Sequence, residues 1–309
     1  MSDRWWQRPE GGGRFGLWLI VSIAHCGGRT LVRLILYPVT AYFFCRRGEE
    51  RRAARVFLAR LGHKNGTWAI LALMHRFAAT LIDRVFFLLR GERGFDIRVE
   101  GLDGLREVMA QERGVLLVGA HMGSFEVLRT LAVRHPSVPR LRIVLNKQQM
   151  AQQTRLMDAL APDVAEGIID AARDPISVAL AVAEAVRRHE LVALLADRGH
   201  PGETLHRVPF AGRPAPFPVG PWLLAAKLDV PVVLCLGLYL GGNRYRVVFE
   251  PFADTVTLPR RERQAALDAV MTRYAARLEH YARQTPCNWF NFYDFWDDEA
   301  ETGAGERGL

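Results

Sequence analysis

The chain has 309 residues, half of them apolar, and 41 Lys and Arg against 33 Asp and Glu give a net charge of +8. That is enough chain for one large domain with a substantial core, or two modest ones. The basic balance suits nucleic acid or an anionic membrane surface. No RNA-binding or zinc-finger pattern is present, so nucleic acid is not the expected partner. Cys26, Cys45, Cys235 and Cys287 are scattered without a C-x-x-C pair, which argues against a disulfide framework or a zinc site and fits a reducing compartment.

At the N-terminus, Trp5, Trp6 and Arg8 precede an apolar run from Phe15 to Ala24. A second run from Leu31 to Phe44 is interrupted only by Arg33. Each is shorter than the roughly 20 apolar residues that span a bilayer. Gly27-Gly-Arg-Thr30 separates them, so a helical hairpin or two interfacial helices is expected rather than one spanning helix. Trp5, Trp6 and Trp18 suit the headgroup level, and Arg46, Arg47, Arg51, Arg52 and Arg55 follow as a cluster for anionic lipid. No small-x-small cleavage site follows, and His25 before Cys26 spoils a lipoprotein signal, so retention on the cytoplasmic face is expected. The other reading is two buried helices of a soluble core.

Glu49 to Leu61 and Thr67 to Leu89 have the apolar period of helices. From Phe95 short branched strands alternate with helices. The expected strands are 95–99, 115–119, 142–145, 191–195, 230–236 and 245–249. The expected helices are 105–111, 125–134, 151–160, 175–188, 218–228 and 260–283. Alternation of this kind predicts an α/β fold, a mixed, largely parallel sheet covered by helices on both faces. The organisation expected is a membrane-associating helical segment over 1–47, an α/β domain over 48–296 and a disordered tail over 297–309.

The chemistry concentrates at Gly119-Ala-His-Met-Gly-Ser-Phe-Glu126. On one continuous helix, residues five apart point about 140° away from each other. His121 and Glu126 can meet only if the histidine sits on a loop and the carboxylate on the first turn of the helix that follows. The sequence puts them at such a strand-to-helix junction. A neutral imidazole there takes a proton from an attacking hydroxyl or water, and a carboxylate on its other nitrogen fixes the tautomer. Ser124 reads as the helix N-cap. The bland alternative is a loop histidine hydrogen-bonded by chance. No G-x-G-x-x-G, P-loop, G-x-S-x-G or His-Glu-x-x-His pattern competes.

Gly119-Ala-His-Met-Gly-Ser-Phe-Glu-Val-Leu-Arg129 resembles the catalytic block of the lipid A biosynthesis (lauroyl/myristoyl) acyltransferase family, part of the lysophospholipid or glycerolipid acyltransferase superfamily. Three further blocks agree in order: Leu194-Leu-Ala-Asp-Arg198, then Val208 to Pro216 running into Gly220-Pro-Trp-Leu-Leu-Ala225, and Asn288 to Trp296. The last resembles a side branch of predicted acyltransferases associated with aryl polyene or other lipid-linked pathways. The resemblance implies transfer of a fatty acyl group from an acyl thioester, on acyl carrier protein or coenzyme A, to a hydroxyl of a membrane lipid. It implies His121 as general base and Glu126 as its partner, no cofactor and no metal. It fits a place on the cytoplasmic face of the inner membrane.

Four further side chains are candidates for substrate binding. Arg129 can pair with Glu126 or grip a phosphate. Asp197 and Arg198, past the end of the 191–195 strand, would face the same crevice as His121, where Asp197 can orient the acceptor or Arg198. Arg213, in the proline-rich stretch 210–221 expected to be a rigid extended loop, can hold a phosphate. Backbone N–H groups at Gly123 and Ser124 are the expected oxyanion donors. A hydrolase using the same pair, or a silent membrane-binding scaffold, remains the alternative.

Overall fold

In the computed structural model the described residues are 14–134, 139–147, 167–199 and 202–296, with side chains outside the description at 14–27 and 133–134. Trp5, Trp6, Arg8, the helix expected over 151–160 and the tail expected from 297 lie outside them.

The described helices are α1 (Arg14–Arg46), α2 (Gly48–Arg60), α3 (Thr67–Arg90), α4 (Leu102–Met109), α5 (Phe125–Arg134), α6 (Pro175–Arg187), α7 (Gly220–Leu228) and α8 (Arg263–Gln284). The strands are β1 (Asp96–Glu100), β2 (Val115–Gly119), β3 (Leu141–Leu145), β4 (Ile168–Asp170), β5 (Leu191–Leu195), β6 (Leu205–Phe210), β7 (Arg213–Pro218), β8 (Val232–Gly241) and β9 (Arg244–Ala253). Seven strands form one sheet in the order β1-β9-β8-β2-β5-β3-β4. Every pairing in it is parallel except the β8–β9 hairpin. The sheet is therefore mixed and largely parallel, as the alternation of patterns predicts.

β2 and the first eight residues of β8 are buried throughout, and β5 nearly so. Their unbroken apolar sequences fit central strands covered on both faces. Alternate residues of β2 serve different cores. Leu116 and Val118 pack with Phe57 of α2, Trp222 of α7 and Tyr274 of α8, while Val115 and Leu117 pack with Leu105 of α4 and Leu128 of α5. α3 joins both layers: Ile70 and Leu73 belong to the first, Ile82 and Phe86 to the second.

Two departures from the sequence reading have physical causes. The stretch expected to be a rigid loop at 210–221 supplies instead the turn and second strand of the β6–β7 hairpin, then the start of α7. Its turn residues, Ala211 and Gly212, have φ of 49° and 81°, the two left-handed positions a tight hairpin turn requires. Pro209 faces Pro214 across the pair; a two-stranded ribbon tolerates proline because each strand is an edge. At the N-terminus, the break expected over 27–30 narrows to Gly28 (φ 67°, ψ −178°), on either side of which α1 is helical. Among the described residues no helix is long and apolar enough to cross a membrane.

Candidate active site

β2 and β5 lie side by side with Gly119 opposite Leu195. Both chains run on past the sheet, and the Ala196 N–H still bonds the Gly119 carbonyl at 3.1 Å. Two residues beyond the last pair stand His121 on one chain and Asp197 on the other. Nδ1 of His121 is 2.9 Å from Oδ1 of Asp197, and the His121 backbone N–H donates to Oδ2 at 3.0 Å. The indole N–H of Trp289 donates to that same Oδ2 at 2.9 Å. Asp197 and Trp289 are wholly buried, whereas the imidazole keeps 41% of its surface accessible.

The junction after His121 is fixed by backbone bonds. The Gly123 N–H donates to the Asn288 carbonyl at 2.8 Å, and the Ser124 N–H to the Gly237 carbonyl at 2.7 Å. Gly123 has φ of 70°, and a Cβ there would stand 2.0 Å from the Gly237 oxygen, so only glycine fits. Asn288 ties the same point to β8, its amide accepting from the Tyr239 N–H at 2.7 Å and donating to the Tyr239 carbonyl at 3.0 Å. Tyr274 closes the strand end below, its hydroxyl donating to the Gly119 carbonyl at 2.8 Å.

This geometry corrects three expectations. The carboxylate on the imidazole is that of Asp197; Glu126, on the first turn of α5, instead pairs with Arg129 three residues on. With side chains 11% and 6% exposed, that ion pair is almost sealed. The N–H groups of Gly123 and Ser124 are already bonded to carbonyls, so they are not the oxyanion donors. Ser124 Oγ is buried and makes no hydrogen bond among the described residues, so the expected N-cap bond is not formed there.

Of the remaining candidates, Arg198 joins the cluster. It lies 3.9 Å from Asp197, bonds the Phe290 carbonyl and stacks on Tyr293. Arg129 is buried; burial and the nearby charge of Arg84 push its pKa down to about 10. Arg213 is exposed at the hairpin tip, outside the hydrogen bonds around Asp197. From sequence, the aromatics from Trp289 to Trp296 are expected to close the core or line an acyl groove; the structure gives Trp289 the further part of donor to Asp197, and Asn288 that of a tie between the junction and β8.

The electrostatics favour a neutral base. Burial and the charge of Arg198 lower the His121 pKa below the ordinary 6.5, against the raising effect of Asp197. Burial alone would raise the Asp197 carboxyl. Its contacts with His121, Arg198 and Trp289 outweigh that and hold it well below the usual carboxylate range. An ionised carboxylate at Nδ1 draws the proton to that nitrogen and leaves Nε2 as the acceptor. On the α5 side of the sheet, Leu117, Phe125, Leu128, Ala193, Cys235 and Phe249 help line an apolar cavity of about 70 Å³.

The imidazole of His121, held by an internal carboxylate, can accept a proton from an attacking oxygen. The bacterial lipid A biosynthesis acyltransferase family model matches residues 72–297, most of the chain and all of this site. The protein belongs to that family, whose general chemistry is acyl transfer. No curated protein matches the chain.

Proposed function

We propose that the protein moves a fatty acyl group from an acyl thioester, on acyl carrier protein or coenzyme A, to a hydroxyl of a lipid acceptor such as a lipid A precursor or related glycolipid. The observation that supports this reading is the His121–Asp197 hydrogen bond at 2.9 Å, made by a ring that is partly open to solvent.

In this mechanism Nε2 of His121 removes the acceptor hydroxyl proton as the oxygen attacks the thioester carbonyl. A C–O bond forms and the carbonyl becomes an oxyanion beside Arg198. The C–S bond then breaks, the ester is released, and the leaving thiolate takes the proton back from His121. Asp197 is a positioning residue, holding the ring by Nδ1 and stabilising the imidazolium of the intermediate. Glu126 serves indirectly, by keeping Arg129 charged and in place next to the junction. We assign the acyl chain to the cavity under α5, because Phe125 in its wall is two residues from Gly123.

In this proposal the enzyme acts at the cytoplasmic face of the inner membrane, with acyl carrier protein or coenzyme A as donor and no resident cofactor. Because the imidazole is partly solvent-accessible, water can replace the acceptor; a hydrolase would then use the same pair. Product analysis separates the two, since free fatty acid alone means hydrolysis and a labelled lipid means transfer.

A further inference from the structure

Past Leu234, β2 no longer pairs with β8, and the turn that carries His121 takes its place along that edge. The Ser124 N–H meets the Gly237 carbonyl, and two residues on the Asn288 amide holds both the N–H and the carbonyl of Tyr239. A buried side-chain amide thus stands in for a strand, since it carries both an acceptor and donors. Asn288 is a hub in the other direction as well. Its own carbonyl takes the Gly123 N–H, and the indole of the next residue, Trp289, holds Asp197. Both His121 and Asp197 are therefore tied to where Tyr239 lies.

α1 holds Tyr239 from its other end. Arg33 donates to the Tyr239 hydroxyl at 2.6 Å and to Oδ2 of Asp83 at 2.8 Å. Arg29, one turn earlier, grips both oxygens of Asp83 at 2.8 and 2.9 Å, and the Tyr245 hydroxyl donates to the same carboxylate at 2.7 Å. Asp83, on α3, has no exposed surface. Both arginines also bond the Gly242 carbonyl in the β8–β9 turn. Tyr239 and Tyr245 face each other across that hairpin, with ring centroids 5.1 Å apart. Two helices and two strands thus meet at one buried carboxylate. Such a cluster contributes less to stability than to a fixed geometry, because desolvating its charges offsets much of their attraction.

We propose that Arg33 and Tyr239 are positioning residues for the reaction, acting on His121 and Asp197 through the Asn288 amide. The order runs from the Asp83 cluster to the Tyr239 hydroxyl and along that side chain to its backbone. It continues through the Asn288 amide, and then from the Asn288 carbonyl to the Gly123 N–H, two residues from His121. Every step is a hydrogen bond or a covalent link, so a displaced Arg33 is felt at the turn after His121. A working base has to be held within about 0.5 Å of its productive place by the groups around it. The imidazole is 41% accessible, so it depends on such bonds more than a fully packed side chain does. α1 is thereby part of the working unit. That His121 is the base rests on the acyl-transfer reading; the coupling of α1 to the His121 turn does not.

The test uses three variants of the full chain. Tyr239→Phe removes only the hydroxyl that Arg33 holds. Arg33→Lys keeps the cation but loses the planar fork that reaches Asp83 and Tyr239 together. Arg142→Lys is the control, the same exchange in the half-buried pair with Glu190 (2.7 Å), which precedes β5 at the opposite end of the sheet. Hydrogen exchange is followed by mass spectrometry without substrate. Exchange over 119–126 is expected to rise several-fold in Tyr239→Phe and Arg33→Lys, with 191–195 still protected, and to stay at the wild-type level in Arg142→Lys. In the transfer assay the first two variants should lose kcat several-fold with KM unchanged, the split expected of a misplaced base. Unchanged exchange over 119–126 in both, an equal rise in Arg142→Lys, or a loss carried by KM alone would overturn the proposal. Because exchange needs no substrate, a wild type that transfers no acyl group would sink the acyl-transfer reading and leave the coupling to be decided by exchange.

Discussion

Oδ1 of Asp197 lies 2.9 Å from Nδ1 of His121 although the two are 76 residues apart, and their strands bring each to the same height above the sheet. Asp197→Asn keeps the shape but turns an acceptor into a donor at one of its contacts. Transfer should fall 10²–10⁴-fold, the range typical for losing a positioned base or its tautomer. The double variant with His121→Ala should be little worse than either alone, since the two act as a unit. Steady-state kinetics on purified variants check this, and multiplying losses would show that they act separately.

Glu126→Gln has a different expected signature. It neutralises the partner of a buried arginine, and breaking a nearly sealed pair costs roughly 3–5 kcal/mol. Urea unfolding should show a clear drop in midpoint with the slope unchanged. Unaltered stability together with a loss of transfer equal to that of His121→Ala would return Glu126 to the imidazole.

The pH profile separates the two carboxylates as well. With its pKa lowered by burial and by Arg198, His121 is neutral at pH 7, and transfer falls only as acid protonates it. The midpoint of the acid limb of kcat/KM is therefore expected below 6.5. Asp197 raises that pKa, so Asp197→Asn should move the limb to still lower pH while Glu126→Gln leaves it in place. A wild-type midpoint above 6.5 would mean that Asp197 outweighs burial.

Trp289→Phe keeps the aromatic packing and removes one donor to a charged oxygen. A hydrogen bond to a charged group contributes about 1.5–3 kcal/mol. The expected result is a reduced kcat with KM little changed and the near-ultraviolet spectrum otherwise retained. An unchanged kcat would assign the indole to packing alone.

The central strands were legible because β2, β5 and β8 are continuous branched apolar runs, and α5 was read to its final bounds. His121 was legible from its place at a strand end. Its partner was not, because that depends on strand order. Only the parallel pairing of Gly119 with Leu195 brings residue 197 beside residue 121, and a local spacing points instead to Glu126. The β6–β7 hairpin was hidden by its prolines, which argue against a strand unless the ribbon stands alone. In α1 the charge of Arg33 read as an interruption of an apolar segment, since a buried Asp83 on a different helix leaves no local trace.

Asp83→Asn tests that network. It leaves Arg29 and Arg33 without their shared anion, again a cost of roughly 3–5 kcal/mol for a buried charge left unpaired. Hydrogen exchange should rise first in α1 and in the turn at Gly242, whose carbonyl accepts from Arg33 at 2.7 Å. Unchanged protection there would show that apolar contacts alone hold the helix.

The most direct measurement is a transfer assay. Membranes containing wild type or His121→Ala receive radiolabelled acyl-acyl carrier protein, and in parallel acyl-coenzyme A, and the lipid extract is resolved. A labelled lipid formed by wild type and lost in the variant, with both proteins still on the membrane, is the predicted result. Near-normal transfer by His121→Ala, or free fatty acid as the sole product with either donor and with added acceptor lipids, would contradict the account.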